Sequence, residues 1–281
     1  MNLVFSKKIN WYFPVKLYPK TIMKKKILIA VSFLIALFWA IFFINSKKTE
    51  IHLAIIPHFM LDTTKVDEFY SLIYDKRYSD KNPDAIVLIS PNHFFWQKWN
   101  IATSCSDWII RYNLEKINSN QFQNLPCEND VFKVVWDSTT ISEHGLWEHF
   151  RWINKYFSGT KIYPIIASPK ALEYTDSVIS GIQKMKWNIL VIASVDFTHY
   201  LPEYITYEHD QHSIQVLQNW TWTKKDFNEL DVDCPSCLFI INELWKISGQ
   251  SGRFRYRDSS STIAWKDMGE ENTSRVFMYY E

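Results

Sequence analysis

An excess of charge of either sign is missing. Lys and Arg number 31 against 30 Asp and Glu, for a net charge of +1 over 281 residues. Without a basic field to attract phosphates, the composition argues against a nucleic-acid partner. Cysteine stops at four (Cys105, Cys127, Cys234, Cys237), too few for a fold held together by disulfides. Glycine is scarce at 6, whereas aromatic residues reach 17%, which implies a well-filled core and an aromatic-lined surface or cleft. No internal repeat, low-complexity tract or obvious linker divides the chain.

One long hydrophobic run is present. Residues 27–44 (ILIAVSFLIALFWAIFFI) carry no charge and would extend about 27 Å as a helix, close to the thickness of a hydrocarbon core. Lys24, Lys25 and Lys26 precede it, with Lys7, Lys8, Lys16 and Lys20 further back, and fewer lysines follow. That asymmetry predicts a cytoplasmic N-terminus. A cleaved signal peptide is the rival reading, but the run ends in Phe-Phe-Ile-Asn-Ser-Lys-Lys, without a small-x-small site. Met23 opens a signal-like stretch of its own and is a second candidate start. The expected organisation is a basic cytoplasmic segment (1–26), a single transmembrane anchor (27–45), a tether (46–51) and an extracytoplasmic domain (52–281). In an oxidising setting, Cys105–Cys127 and Cys234–Cys237 are candidate disulfides.

Beyond the tether, apolar β-branched runs of strand length recur at 51–56, 85–89, 161–167, 189–193 and 276–280. Helical three-four spacing occupies 65–74, 146–156, 171–185, 204–220 and 238–247. The alternation predicts an α/β domain with a mixed, mostly parallel central sheet flanked by helices. The runs 85–89 and 189–193 are apolar throughout, as strands covered on both faces require. Residues 97–129 are polar and Asn-rich and read as loops or a weak hairpin.

Chemistry gathers where these strands end. IHLAIIPH ends at His58, DAIVLISPNH at His93, and NILVIASVDFTH at Asp196 and His199. Ligand sites of open α/β sheets lie beyond the carboxyl ends of the strands, so three strands would deliver these groups to one edge. Singly, each residue has a plainer role: a hydrogen-bonded loop histidine, or a helix-capping aspartate. Three of the eight histidines falling just past buried-type strands favours a shared site. SEHGLWEH adds His144 and His149, and DVDCPSC adds Cys234. One thiolate beside two imidazoles suits a mononuclear iron, copper or zinc site. His52, His209 and His212 lack this context and read as structural.

Taken in order, Pro57-His58, Pro91-Asn92-His93, Glu143-His144-Gly145, Ser194-Val195-Asp196-Phe197-Thr198-His199 and Asp233-Cys234-Pro235 resemble the Memo family, known in prokaryotes as AmmeMemoRadiSam system protein B. The resemblance spans about residues 52–281. It implies a fold like that of class III extradiol dioxygenases and a metal held by His58, His93 and Cys234, with His144, Asp196 and His199 lining the same cleft. A copper-dependent redox role has been proposed for the family. The sequence departs from the family pattern at Phe59-Met60-Leu61-Asp62, where a Gly-rich stretch is usual. It departs again at Gly145-Leu146-Trp147, where a hydroxyl and a carboxylate are lost, and at Asp233-Cys234-Pro235.

Metal-dependent redox chemistry follows as the leading expectation, with iron or copper ahead of zinc. His199 or His144 would act as general acid or base, and Asp196 would orient His199 or an outer group. A thiolate ligand would favour copper. The alternative is a non-catalytic domain whose cleft holds a peptide or small ligand. A zinc hydrolase using Asp196 or Glu143 as base is a third reading.

Overall fold

Four parallel strands form the middle of the sheet because their sequences leave no polar face to expose. In the computed structural model, which describes residues 31–35, 37, 50–94, 100–103, 133–134, 142–185, 188–219 and 221–281, these are β1 (Glu50–Ile56), β2 (Ala85–Pro91), β5 (Lys161–Ala167) and β6 (Asn188–Ser194). Every residue of β2 is buried. Side chains alternate between faces. Val87, Ile89, Val191 and Ala193 therefore enter one core, and Ile86, Leu88, Leu190 and Ile192 the other.

The first core is closed by helices α3 (Thr175–Lys184), α4 (Glu203–Leu217), α5 (Lys224–Asn228) and α6 (Pro235–Ser248). The second is closed by α1 (Thr63–Arg77) and α2 (His144–Tyr156). A short helix α7 (Ser260–Ala264) lies in the connection between the last two strands. With β3 (Ile101–Thr103), β4 (Lys133–Val134), β7 (Gly252–Ser259) and β8 (Ser274–Tyr280), the sheet order is β4-β3-β5-β2-β6-β1-β8-β7. β1, β2, β5 and β6 pair in parallel, whereas β8 and β7 add antiparallel at one side and β3 pairs antiparallel with β5 at the other.

Register sets the site. Ile56 lies opposite Ser194 and Ile89 opposite Ala193. The residues that follow (His58 after β1, His93 after β2, Asp196 after β6) therefore leave one edge within a residue or two of each other.

Some expectations change. β3 lies inside the stretch read as loop, and most of the rest of 97–129, including Cys105 and Cys127, is outside the described residues. β7 was not foreseen: as an edge strand it keeps Arg253, Phe254 and Arg255 exposed and so lacks an apolar run. The 171–185 helix begins as a 3-10 turn at Pro169–Tyr174. Residues 1–47 and 48–281 are separate compact units. Residues 31–35 and 37 are helical, but the rest of the 27–45 run and Met23 are outside the described residues. No helix among the described residues is long and apolar enough to cross a membrane.

Candidate metal centre

Asp196 is placed by the end of β6 and turns back on β1. Its Oδ1 accepts the backbone N–H groups of His58 and Phe59, both at 3.0 Å, and its Oδ2 lies 3.3 Å from Nε2 of His58. The other ring nitrogen, Nδ1, meets the Ser194 hydroxyl at 3.0 Å. The ring of buried His58 is thereby fixed at both nitrogens. Asp233, from the loop entering α6, brings Oδ2 to 3.2 Å from the same Nε2 and to 3.7 Å from Nε2 of His93. Reciprocal backbone contacts lock that loop to β6: Asp233 N–H donates to the Asp196 carbonyl at 3.2 Å, and Asp196 N–H donates to Asp233 Oδ2 at 3.3 Å.

Glu143 organises the opposite wall. It caps α2 by accepting from Gly145 N–H at 3.2 Å. It also accepts the backbone N–H of His93 at 2.9 Å and Nδ1–H of His93 at 2.6 Å. A carboxylate on Nδ1 fixes the tautomer and leaves Nε2 turned to the cleft. His144, the first residue of α2, stands 4.1 Å from the His93 ring and 5.0 Å from the His58 ring, centroid to centroid. Gly145 is needed here. A Cβ at this position would collide with Ser90 Oγ and come within 3.4 Å of His58 Nδ1, so the hydroxyl of β2 occupies the space a side chain would fill.

Electrostatics follow from this crowding. Burial alone would lower the pKa of His58, but the Asp196 and Asp233 carboxylates outweigh it and the net shift is upward. His93 rises to about 9: burial opposes the proton, but the Asp233 carboxylate facing Nε2 and the hydrogen bond that Nδ1–H donates to Glu143 hold it. Asp233, despite its burial, falls to about 2 beside the two imidazoles. His144 is driven down to about 4 by burial and by repulsion from His93 and His58.

Among the described residues, two overlapping sets hold ligand atoms within 4.8 Å of one another: His58, His93 and His144, and His58, Asp196 and Asp233. Asp233 Oδ1 is buried with no hydrogen-bond partner among the described residues. A buried carboxylate oxygen left bare beside imidazole nitrogens fits a divalent cation.

Of the expected residues, the fold brings His58, His93, His144 and Asp196 together. Cys234 is corrected. Its sulfur is bonded to Cys237 and accepts the Cys237 N–H at 3.2 Å as the N-cap of α6. A disulfide sulfur has no thiolate to offer a metal, and neither ligand set contains it. The residue before it, Asp233, faces the histidines instead. Nor does Asp196 orient His199. The His199 ring meets the Thr273 hydroxyl at 3.1 Å, and Asp196 faces His58. Asp233 and Ser194 carry no role in the sequence reading, and Glu143 enters it only as a possible base of a zinc hydrolase, not as the partner of His93. The one available signal for Asp233 was a carboxylate at the mouth of a Cys-Pro helix start.

The profile of the Memo-like protein family matches residues 5–232. A MEMO1 family protein of Saccharolobus solfataricus is 26% identical over 146 residues, 50% of this chain and 51% of the relative. A second, from Nitrosopumilus maritimus, is 28% identical over 147 residues, covering 50% and 52%. A third, from Saccharolobus islandicus strain M.14.25, is 24% identical over 183 residues, 62% of each. The chain thus spans about half to three-fifths of the length of these relatives. Among solved structures, an uncharacterized protein from Escherichia coli K12 superposes with a TM-score of 0.51 at 12% identity, over 80% of this chain and 98% of the other, a likeness of fold alone.

Proposed function

Given that this chain belongs to the Memo-like protein family, we propose that its cleft holds one catalytic metal ion and supports metal-dependent oxidation of a small molecule. The observation that carries the reading is His58, with Nε2 between two carboxylates at 3.2 and 3.3 Å and two further imidazoles about 5 Å away. Because both ligand sets share His58, one ion is expected, completed by His93 with His144 or by Asp233 with Asp196. Nitrogen and oxygen donors without sulfur remove the reason to prefer copper and favour iron, with zinc as a redox-inert competitor. Bound there with an open position, such a metal supplies Lewis acidity and one-electron chemistry.

The chain's own groups do the rest. Glu143 holds His93 in a single tautomer. Asp196 clamps the backbone at His58 and Phe59. His144, held neutral at physiological pH by burial and by the neighbouring imidazoles, is the group that would accept a substrate proton where Asp233 and Asp196, rather than His144, complete the site. Asp233, anionic at the same pH, compensates the positive charge of a cation. The substrate would enter at exposed Phe94 and half-buried His144, 5.8 Å apart by ring centroids. The apolar, lysine-flanked run at 27–44 supports attachment to a membrane facing away from the cytoplasm.

Protein purified without added metal, and reloaded anaerobically with Fe(II) or Cu(I), is the test. Oxygen consumption by the iron form, abolished in His58→Ala, supports the reading. Stoichiometric binding of both metals with no oxygen consumption would assign the cleft to ligand binding.

A further inference from the structure

We propose that Tyr70 and His149 form a redox-active pair behind the cleft, and that Tyr70 passes oxidising equivalents outward to Tyr156. The proposal rests on the metal-redox reading for its physiological oxidant, but the pair can be tested without a metal. Tyr70 lies on α1 and His149 on α2, and both are fully enclosed in the core on the α1/α2 face of the sheet. The Tyr70 hydroxyl stands 2.8 Å from Nδ1 of His149. His149 follows Gly145 by four residues, on the same face of α2 and about 6 Å further along its axis. Gly145 is the residue packed against the His58 ring. The pair therefore sits one helical turn behind the candidate metal ligands.

A space-filling role does not account for it. Two polar groups in an aromatic core are costly, and Nε2 of His149 has no partner among the described residues. Burial drives His149 down to about 3 and raises Tyr70 well above the usual phenol range, so at neutral pH the pair is a phenol facing a neutral base. With Nδ1 bare, the phenol donates to it.

The step balances within the pair. Tyr70 gives one electron to iron that a peroxide has oxidised in the cleft, the oxidant class on which the metal-redox reading depends, and its phenolic proton crosses to Nδ1 of His149. The products are a neutral tyrosyl radical, an imidazolium and an oxidant reduced by one electron. A second tyrosine is placed to refill the first. The Tyr156 ring lies parallel to Tyr70 (6° between planes, centroids 6.3 Å apart). Its hydroxyl donates to Asp67 Oδ1 at 2.7 Å, so it has its own proton acceptor. Asp67 and Tyr156 are both partly exposed, which leads the radical from the buried pair to the surface.

The full chain is examined in two arms by high-field electron paramagnetic resonance. In the first, metal-free protein is oxidised by photogenerated ruthenium(III). In the second, protein loaded with Fe(II), with metal content measured in the same sample, is mixed with hydrogen peroxide and freeze-quenched. The expected signal is a tyrosyl radical whose g-values report a hydrogen bond. It should be lost in Tyr70→Phe, shifted to the values of a radical without that bond in His149→Phe, and longer-lived in Tyr156→Phe. Wild-type protein carrying ring-deuterated tyrosine assigns the signal to tyrosine, and circular dichroism and thermal melting of Tyr70→Phe matching wild type show that its loss of signal is not a loss of fold. A first-arm signal identical in Tyr70→Phe and wild type overturns the proposal whatever the metal does. A Tyr70 signal in the first arm but none in the iron-loaded arm supports the pair and overturns the metal-redox reading.

Discussion

Asp233 and Cys234 are neighbours in sequence with opposite fates. The carboxylate turns to the two histidines and the sulfur turns to Cys237. Removing the carboxylate strips a charge from the cleft, so Asp233→Asn should weaken Fe(II) or Zn(II) binding by at least tenfold to a hundredfold, the range seen when groups around a metal are lost. Cys234→Ser, titrated in non-reducing buffer, should bind within about twofold of wild type. A hundredfold loss in the cysteine variant would return sulfur to the ligand set. The raised histidines make binding depend on pH in a defined direction. His93 holds a proton at neutral pH in the metal-free state, and the upward shift of His58 acts in the same direction, so a metal must displace protons to bind. Apparent affinity should therefore climb by about tenfold per pH unit for each displaced proton, and the part due to His93 should level off near pH 9. Folding runs the other way. His93 binds its proton more tightly folded than unfolded, so the stability this contributes is present below about pH 6.5 and lost as pH rises through about 9. On the order of 2–3 kcal/mol is at stake after discounting for the partial exposure of the ring. Urea denaturation of metal-free protein at pH 6 and 9.5 reads this directly, and His93→Gln should flatten the difference.

Helix α2 couples a cap to a site. Glu143 closes its first turn and at the same time grips His93, while Gly145 makes room for Ser90. Replacing Gly145 with Ala forces the Ser90 hydroxyl aside and tightens the packing on His58, at a cost of about 1–3 kcal/mol. Because the clash is with one short side chain, Ser90→Ala should relieve most of it. A thermal-melt double-mutant cycle reads the coupling, and strictly additive losses would place the strain elsewhere. Legibility in the sequence divides along the same line. The parallel strands were readable because both faces of β2 and β6 are covered, so their apolar runs are unbroken. From those runs, the edge that carries His58, His93 and Asp196 followed. β7 stayed hidden because its exposed half carries Arg253 and Arg255, and β3 because three residues hold no period. Asp233 was not legible because a carboxylate gains its meaning from a partner 175 and 140 positions away.

At the scale of the molecule, the chain divides into two units with different hydrophobic patterns. The unit of residues 48–281 buries its strands beneath helices on both faces of its sheet, and every candidate ligand is inside it. The other unit, residues 1–47, contains the uncharged stretch 27–44 flanked by lysines. Within the larger unit, one buried guanidinium ties the hairpin to the loop after β1. Buried Arg275 pairs with Asp258 through Nε at 2.7 Å and Nη2 at 2.5 Å, and its Nη1 donates to the carbonyls of Phe59 and Asp62 at 3.2 and 2.8 Å. The loop after His58 is thus held by residues of this unit. A chain beginning at residue 48 should accordingly fold cooperatively, stay in solution and bind metal as tightly as the full chain. The full chain should sediment with membranes and resist extraction by alkaline carbonate, as a hydrocarbon-spanning helix does. Adding two aspartates inside 27–44, each costing about 2.5–3.5 kcal/mol at a bilayer centre, should release it without changing metal affinity. Full chain found in the soluble fraction would remove the anchor, and loss of metal binding on truncation would mean that the first 47 residues complete the site.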